Sequence, residues 1–420
     1  MTNDIDKKSR LQEGEVRRRA FLARGGGLAI AAALGMHAPF GRHFPAGLMP
    51  VALANGLLDE YGKDKELIIL GDKPFVAETP AHLLDEEVTS TRFMFVRNNG
   101  LLPDREQIDP RTWTLTIDGE SAASSKTFTL AQLKSQFESV TRQLTLECGG
   151  NGRSEFFPPA RGNQWTYGGV GFPAWTGIRL RDVLSATGVK DDAVYIGYFG
   201  ADIHLSGDPG KQVISRGVPI FKAMDNESLL VWGMNGAELP LAHGYPLRLV
   251  FSGYPASASG KWVKRIAIRN KVHDGQKMGG HDYRLPCEGI APGETSDNYC
   301  IMENMPVKSL ITFPKSGLQH THGKTLNVRG QAWTGTSRIQ RVDLSTDFGQ
   351  SWMPARLGQA RNRYAPQRFG LDVEFPAKGY YEIWARATDE TGRMQPMVVP
   401  GWNAGGYGNN ACHRIAVRVG

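Results

Sequence analysis

A thiol, three glycines and a guanidinium fall within six positions, Cys148-Gly-Gly-Asn-Gly-Arg153. A thiolate is a soft metal ligand and a nucleophile. The glycines at 149, 150 and 152 let the backbone turn sharply and come close to a ligand. Arg153 adds a cation that attracts anions. The same residues also read as a buried, inert cysteine before an ordinary turn, because free cysteine is usually a small hydrophobe. A second group is His243, Arg248, Ser259, Gly260 and Lys261. A guanidinium supplies a fork of donors and an ammonium a point charge, and together they can clamp a phosphate. Ordinary surface charge is the bland reading of that group. In a third group, Phe95-Val96-Arg97-Asn98-Asn99, an apolar run ends in a cation and two amides. Asp202, at a strand end, and Tyr283, in a polar loop, read alone as solvated or packing residues.

These side chains need elements behind them. Leu144 and Leu146 alternate with Thr145 and Glu147, which predicts a short strand with one buried face running straight into Cys148. Residues 93–96 predict an apolar strand ahead of Arg97. Residues 113–119 alternate and end in Asp-Gly, a strand entering a hairpin turn. Thr129 is a good N-cap for a helix over 130–137, and 180–186 predicts a second short helix. Residues 194–199 predict the strand ahead of Asp202, and 247–251 an apolar strand between His243 and Lys261. Trp165 and Trp175 flank a glycine-rich loop and read equally as core or as pocket wall. Residues 55–91 are polar and turn-rich, predicting an extended arm draped over the first domain. Beyond about residue 303, short alternating strands over 326–329, 339–344, 371–375 and 380–387 predict an all-β sandwich.

A chain of 420 residues holds two or three domains. Its 50 glycines and 24 prolines favour a loop-rich β or α+β protein over a helical one. No apolar run is long enough for an ordinary transmembrane helix. Arg17-Arg18-Arg19-Ala20-Phe21-Leu22, a mild apolar stretch over 25–38 and Ala52-Leu53-Ala54 read as a twin-arginine export signal over residues 1–54, hence a periplasmic protein. That leader holds eight basic and four acidic residues, so the remainder carries about +3 of the +7 total. The basic balance is therefore no argument for nucleic acid, and no basic-aromatic ladder is present. The four cysteines, at 148, 287, 300 and 412, form no Cys-x-x-Cys pair, which excludes a zinc ribbon or a c-type haem attachment on this chain. In an oxidising compartment Cys287 and Cys300 could pair within one loop, but two free or buried thiols are the favoured reading.

The segment Thr145-Leu-Glu-Cys148-Gly-Gly-Asn-Gly-Arg153-Ser-Glu155 resembles the molybdenum-ligand segment of the sulfite oxidase family, and the resemblance runs from about Phe93 to the C-terminus. Within that family the chain is most similar to the sulfane dehydrogenase branch of the bacterial Sox sulfur-oxidising system. The resemblance implies an α+β fold: a mixed α/β molybdopterin domain over 55–302, then an immunoglobulin-like sandwich over 303–420 used for dimerisation. It implies a molybdenum–molybdopterin cofactor with one pterin and two oxo groups. Cys148 would be the metal ligand. Phe95, Val96, Arg97, Asn98, Asn99 and Asp202 would line the pterin, and His243, Arg248, Ser259, Gly260 and Lys261 would hold its phosphate. Arg97, Arg153 and Tyr283 would face the substrate. Partners implied are a sulfur carrier protein as substrate, a separate c-type cytochrome as electron acceptor, and a second copy of the chain within a hetero-oligomer. A cofactor-free binding protein on the same fold is the reading of another class.

One position departs from the family's pattern. Sulfite-oxidising members carry an arginine two residues after a Trp-Asn pair near the C-terminus; here Trp402-Asn403 leads to Gly405. The resemblance then implies a wider, less anion-selective pocket, which favours carrier-bound sulfane sulfur over free sulfite.

Overall fold

Strict alternation of buried and half-buried residues in Thr114–Asp118 makes it a sheet strand with one face in the core. The computed structural model describes residues 51–287 and 299–420. In it this strand belongs to a five-stranded mixed sheet in the order Gly217–Pro219, Tyr195–Gly200, Val263–Arg269, Thr114–Asp118, Lys126–Thr129. Val263–Arg269 and Thr114–Asp118 run parallel, while the other pairs are antiparallel. A second sheet joins Ala237–Glu238, Ser228–Met234, Ala174–Arg179 and Ser139–Gln143, with Arg248–Phe251 also paired to Ser228–Met234. One core serves both sheets: Leu115, Ile117, Ile196 and Ile266 meet Ile178, Leu229 and Leu249. The helix Leu130–Gln136 closes on this core behind the expected Thr129 cap, whose hydroxyl and the Gln132 amide complete a capping box.

The C-terminal strands form the expected sandwich of two sheets. Lys308–Phe313, Leu326–Trp333, Gln367–Val373 and Arg356–Leu357 make one sheet; Leu318–His320, His413–Val419, Gly379–Asp389, Ile339–Ser345 and Met353–Pro354 make the other. Val328, Phe369, Val342, Ile383 and Val417 fill the space between them. A mixed domain followed by an all-β one is the α+β architecture that the sequence implies.

The structure corrects several local expectations. Residues 55–91 are not an extended arm. The helix Val51–Glu60 precedes an antiparallel pair, Ile68–Asp72 with Phe75–Glu78, and Val96–Arg97 adds a third strand. Leu58, Leu67, Phe75 and Val96 give this unit a small core of its own. The twin-arginine reading falls on residues 1–50, outside the described residues, while the 52–54 segment read as its cleavage site lies in the helix. The strand before Cys148 is only Leu146–Glu147, and it has no solvent face: Thr145 and Glu147 are as buried as the leucines. Cys287 and Cys300 are not free thiols but a disulfide, because Arg284–Pro286 and Tyr299–Ile301 pair antiparallel and bring their Cα atoms within 5.0 Å.

Glu147 is buried because three donors meet its carboxylate. Lys308 Nζ lies 2.6 Å from Oε1, Asn151 Nδ2 donates to Oε1 at 3.0 Å, and Trp333 Nε1 donates to Oε2 at 2.7 Å. Lys308 and Trp333 belong to the sandwich, so an ion pair removed from water joins it to the cysteine turn. Removing one partner of such a pair leaves a buried charge uncompensated. Lys308→Met is expected to lower unfolding stability by about 3 kcal/mol, with part of the loss recovered by Glu147→Gln/Lys308→Met. Urea unfolding of the two variants checks this; a single variant within about 1 kcal/mol of the parent chain would show that the pair does not hold the domains.

Candidate functional site

The cysteine turn is fixed from both sides. Cys148 donates its backbone N–H to Gly169 at 2.8 Å, and its carbonyl accepts from Asn151 N–H at 2.9 Å. Asn151 Oδ1 accepts from Gly169 N–H, tying the turn to the loop before Val170–Gly171. The C-terminal segment closes over it: Asn409 Nδ2 donates to the Gly152 carbonyl and Gly408 N–H to the Gly149 carbonyl. A thiol that is almost wholly buried, at 6% exposure, is thus held in the wall of a cleft.

Ten of the residues singled out in the sequence line that cleft: Phe95, Arg97, Asn99, Cys148, Asp202, His243, Arg248, Ser259, Lys261 and Tyr283. Arg97 ends the short strand Val96–Arg97 and Asn99 follows it, and Asp202 follows Tyr195–Gly200. His243 ends a 3₁₀ turn and Arg248 opens the strand Arg248–Phe251. Gly244, at φ 106°, makes this convergence possible; a Cβ there would stand 3.0 Å from the Cβ atoms of both Arg248 and Lys261. Val96, Asn98 and Gly260 support the lining instead. Val96 packs in the N-terminal core, Asn98 Oδ1 accepts from Lys261 Nζ, and Gly260 lets the backbone lie against the Tyr198 ring.

Charge is distributed unevenly in the cleft. Burial pulls the Arg248 guanidinium down to about 9 and pushes the Asp202 carboxyl up to about 6. Burial also holds Lys261 and His243 well below their usual values, helped by their mutual repulsion with Arg248 and Lys63. Three buried basic groups therefore face one carboxylate. Among the described residues their donors reach neutral acceptors: Arg248 touches the carbonyls of His243, Leu249 and Ser259, and Lys261 those of Arg97 and Ala242 and the Asn98 amide. Three basic groups buried with a single carboxylate are costly unless a further anion meets them, so this donor set fits a phosphate.

Beside this group, Asn99 Oδ1 accepts from Arg97 Nη2 at 2.9 Å and from the Tyr283 hydroxyl at 3.3 Å. Tyr283 stacks on Tyr407 with ring centroids 5.2 Å apart. Arg153 does not turn into the cleft as expected. Its Nε donates to the Gly405 carbonyl at 2.8 Å and its Nη1 to the Asn163 carbonyl at 3.0 Å, and its guanidinium lies over Tyr407. The expectation of a wider pocket at Gly405 is also corrected. A Cβ there would approach the Tyr407 ring to 2.2 Å, so the ring takes the space that a side chain at 405 would need. Trp165 and Trp175 are core rather than pocket wall: both are fully buried, the first edge-on to Phe95 and the second beneath Arg248.

Sequence reasoning missed two buried cations. Arg216, 1% exposed, lies over the Tyr283 ring at 4.4 Å and donates to Ser257 Oγ, while its Nε has no partner among the described residues. Lys63 reaches His243 from the N-terminal unit. Neither stands in a local motif; only tertiary placement gives them meaning.

Residues 101–277 match the family profile described as the oxidoreductase molybdopterin binding domain, and residues 298–420 match the Mo-co oxidoreductase dimerisation domain. Mitochondrial sulfite oxidase of Mus musculus is 32% identical over 372 residues, covering 84% of this chain and 66% of that protein. Sulfite oxidase of Gallus gallus is 32% identical over 364 residues, covering 83% of this chain and 77% of that one. The sulfane dehydrogenase SoxCD from Paracoccus pantotrophus superposes with a TM-score of 0.69 at 28% identity, covering 82% of this chain and 85% of that one. The phosphate-fitting donors and the soft thiol lining one cleft suit a molybdenum–molybdopterin group.

A phosphate contact binds equally before and during reaction, so its loss weakens occupancy more than chemistry. Arg248→Ala is expected to lower molybdenum content per chain several-fold while turnover per bound molybdenum stays within about threefold. Metal analysis beside steady-state turnover checks it; full molybdenum with collapsed turnover would move Arg248 to the substrate pole.

Proposed function

Because the chain belongs to the sulfite oxidase family of molybdopterin oxidoreductases, we propose that it works in the periplasm, oxidising sulfane sulfur held as a persulfide on a carrier protein and passing electrons to a separate c-type cytochrome. The observation that carries the substrate reading is the Gly405–Tyr407 contact. The resemblance implies an arginine at this position in sulfite-oxidising members; here it is Gly405, and the Tyr407 ring stands within 2.2 Å of where a Cβ at 405 would lie. A free sulfite dianion is small and strongly hydrated, and taking it from water calls for several fixed cations. Sulfur on a carrier can draw its affinity from protein–protein contact instead. The fold overlap with a sulfane dehydrogenase supports the same reading.

Bound molybdenum supplies two-electron oxygen-atom transfer, and Cys148 would be its protein ligand. The chain's own residues supply position and charge. Asn99 fixes the Arg97 guanidinium and the Tyr283 hydroxyl on one amide oxygen, so both donors are oriented before substrate arrives. The remaining N–H groups of Arg97 would then stabilise negative charge growing on sulfur-bound oxygens, and the Tyr283 hydroxyl would join them by turning its single proton from Asn99 to the substrate. Arg153 acts through Tyr407, holding the ring against which Tyr283 stacks. Phe95, Leu146 and Trp262 give the cleft an apolar wall that keeps water from the reacting sulfur.

A second reading, a dehydrogenase of free sulfite, draws on the Arg97 and Arg216 guanidiniums near Tyr283, which leave that pole positive. Steady-state kinetics separate the two. With a cytochrome acceptor and equal concentrations, carrier-bound persulfide is expected to turn over at least about tenfold faster than sulfite, the worth of one missing charge-assisted contact. A preference for free sulfite would overturn the carrier reading.

Cys148→Ser is expected to keep the pterin but lose at least about 99% of turnover, since a hydroxyl is a harder and weaker ligand than a thiolate. Pterin content and turnover measured together check it. Near-normal activity would place the metal ligand elsewhere, and a parent protein without molybdenum would favour the non-catalytic alternative.

A further inference from the structure

Lys63 lies 38 residues before the first residue matched by the molybdopterin-binding profile, yet its ammonium reaches the centre of that domain. It follows the helix Val51–Glu60, and its backbone N–H donates to the Leu58 carbonyl. The side chain is 4% exposed. Its Nζ has three neighbours: the Thr91 carbonyl at 2.7 Å, the Met94 carbonyl at 3.0 Å and His243 Nε2 at 2.5 Å. An ammonium has three N–H donors and no acceptor capacity. In the ammonium form of Lys63 the three donors meet the three neighbours and Nε2 of His243 accepts, which puts the neutral imidazole's single proton on Nδ1.

Among the described residues no carboxylate pairs with Lys63, and burial draws it down to about 7. Desolvation, with Lys63, Lys261 and Arg248 beside it, keeps His243 neutral. A protein held together for stability alone gains little from an unpaired buried ammonium beside further cations. Two carbonyls could be satisfied by an ordinary turn; the third contact is the one that bears on the cleft, because His243 lines it with Arg248 and Lys261.

We propose that Lys63 is a positioning residue for the cofactor phosphate, fixing the His243 ring so that its Nδ1–H remains free to donate to that phosphate. The proposal rests on the reading of His243, Arg248 and Lys261 as the phosphate clamp, and it is independent of which sulfur compound is oxidised. It makes the N-terminal unit part of cofactor retention rather than a packing appendage. The expected consequence is kinetic: without Lys63 the imidazole can take the other tautomer and turn an acceptor toward the phosphate, so the pterin leaves faster.

The test uses the purified holoenzyme. Lys63→Met replaces the side chain at similar volume, Lys63→Arg keeps charge and donors, and Lys63→Gln keeps a neutral donor should the methionine variant fail to fold. The readout is the rate of pterin loss on dilution, followed by the fluorescence of released, oxidised pterin, beside molybdenum per chain. Lys63→Met is expected to lose pterin at least about tenfold faster, with turnover per remaining molybdenum unchanged and with Lys63→Arg restoring most of the retention. Lys63→Gln is expected to fall between them. In a His243→Ala background, Lys63→Met is expected to add less than about a twofold change, because the residue acts through that ring. Pterin loss at the parent rate in Lys63→Met, or in Lys63→Gln if only that variant folds, would overturn the proposal. So would an undiminished further loss in the His243→Ala background. Arg248→Ala is measured in parallel: if its retention matches the parent enzyme, the clamp reading itself has failed, and the Lys63 proposal with it.

Discussion

The buried carboxylate of Glu147 is the constraint on which the site's geometry depends. It sits one residue before Cys148, in a strand of two residues with no solvent face. A carboxylate there must be matched by donors, and its partners come from the turn itself and from the first two long strands of the sandwich. The thiol's position is therefore set by an electrostatic demand and not by sheet pairing, which at two residues is too short to fix it. This also explains why the second domain packs where it does. Its Lys308 satisfies a charge that the first domain would otherwise bury alone.

The cleft shows the opposite policy toward charge. Around Glu147 each charge finds its counter-charge within the chain. At His243, Arg248 and Lys261 the chain gathers basic groups and supplies carbonyls and one half-compensating carboxylate. Such a cluster lowers the stability of the free protein, and the loss is recovered only when an anion binds. At the sulfur pole the arrangement differs again: two guanidiniums, Arg216 and Arg153, lie over two neighbouring phenol rings. There each cation is attracted by the face of the ring it covers.

Legibility in the sequence followed locality. Cys148 among its glycines and the spacing from His243 to Lys261 could be read because each group lies within one short stretch of chain. The strand and helix pattern of the first domain could be read for the same reason, down to the Thr129 cap. Lys63 and Arg216 could not, since nothing near them in sequence marks a lysine or an arginine as buried. The run over 55–91 suggested an arm because its apolar residues come in short clusters between charged and turn residues and show no sustained period, though Leu58, Leu67 and Phe75 suffice for a small core in three dimensions. Arg153 misled through its neighbours. Proximity to Cys148 in sequence did not carry its guanidinium into the cleft, because the carbonyls of Gly405 and Asn163 hold it behind the wall. Gly405 was read as an absence, whereas the Tyr407 ring two residues on is what fills the place.

The reach of Lys308 has a consequence for synthesis. Its partner Glu147 lies 161 residues earlier in the chain, so a nascent first domain leaving the ribosome already contains every residue of the cleft while its central carboxylate still lacks its counter-charge. Domains fold largely in order of emergence, N-terminal first. Here the earlier domain can collapse around its sheets but cannot finish the turn that carries Cys148 until the first strand of the sandwich has been made and has docked. The last part of the active site to become rigid is thus completed by segments that contribute no residue to the cleft, and the turn reaches its final shape only after Lys308, Trp333 and the closing residues Gly408 and Asn409 have all been made.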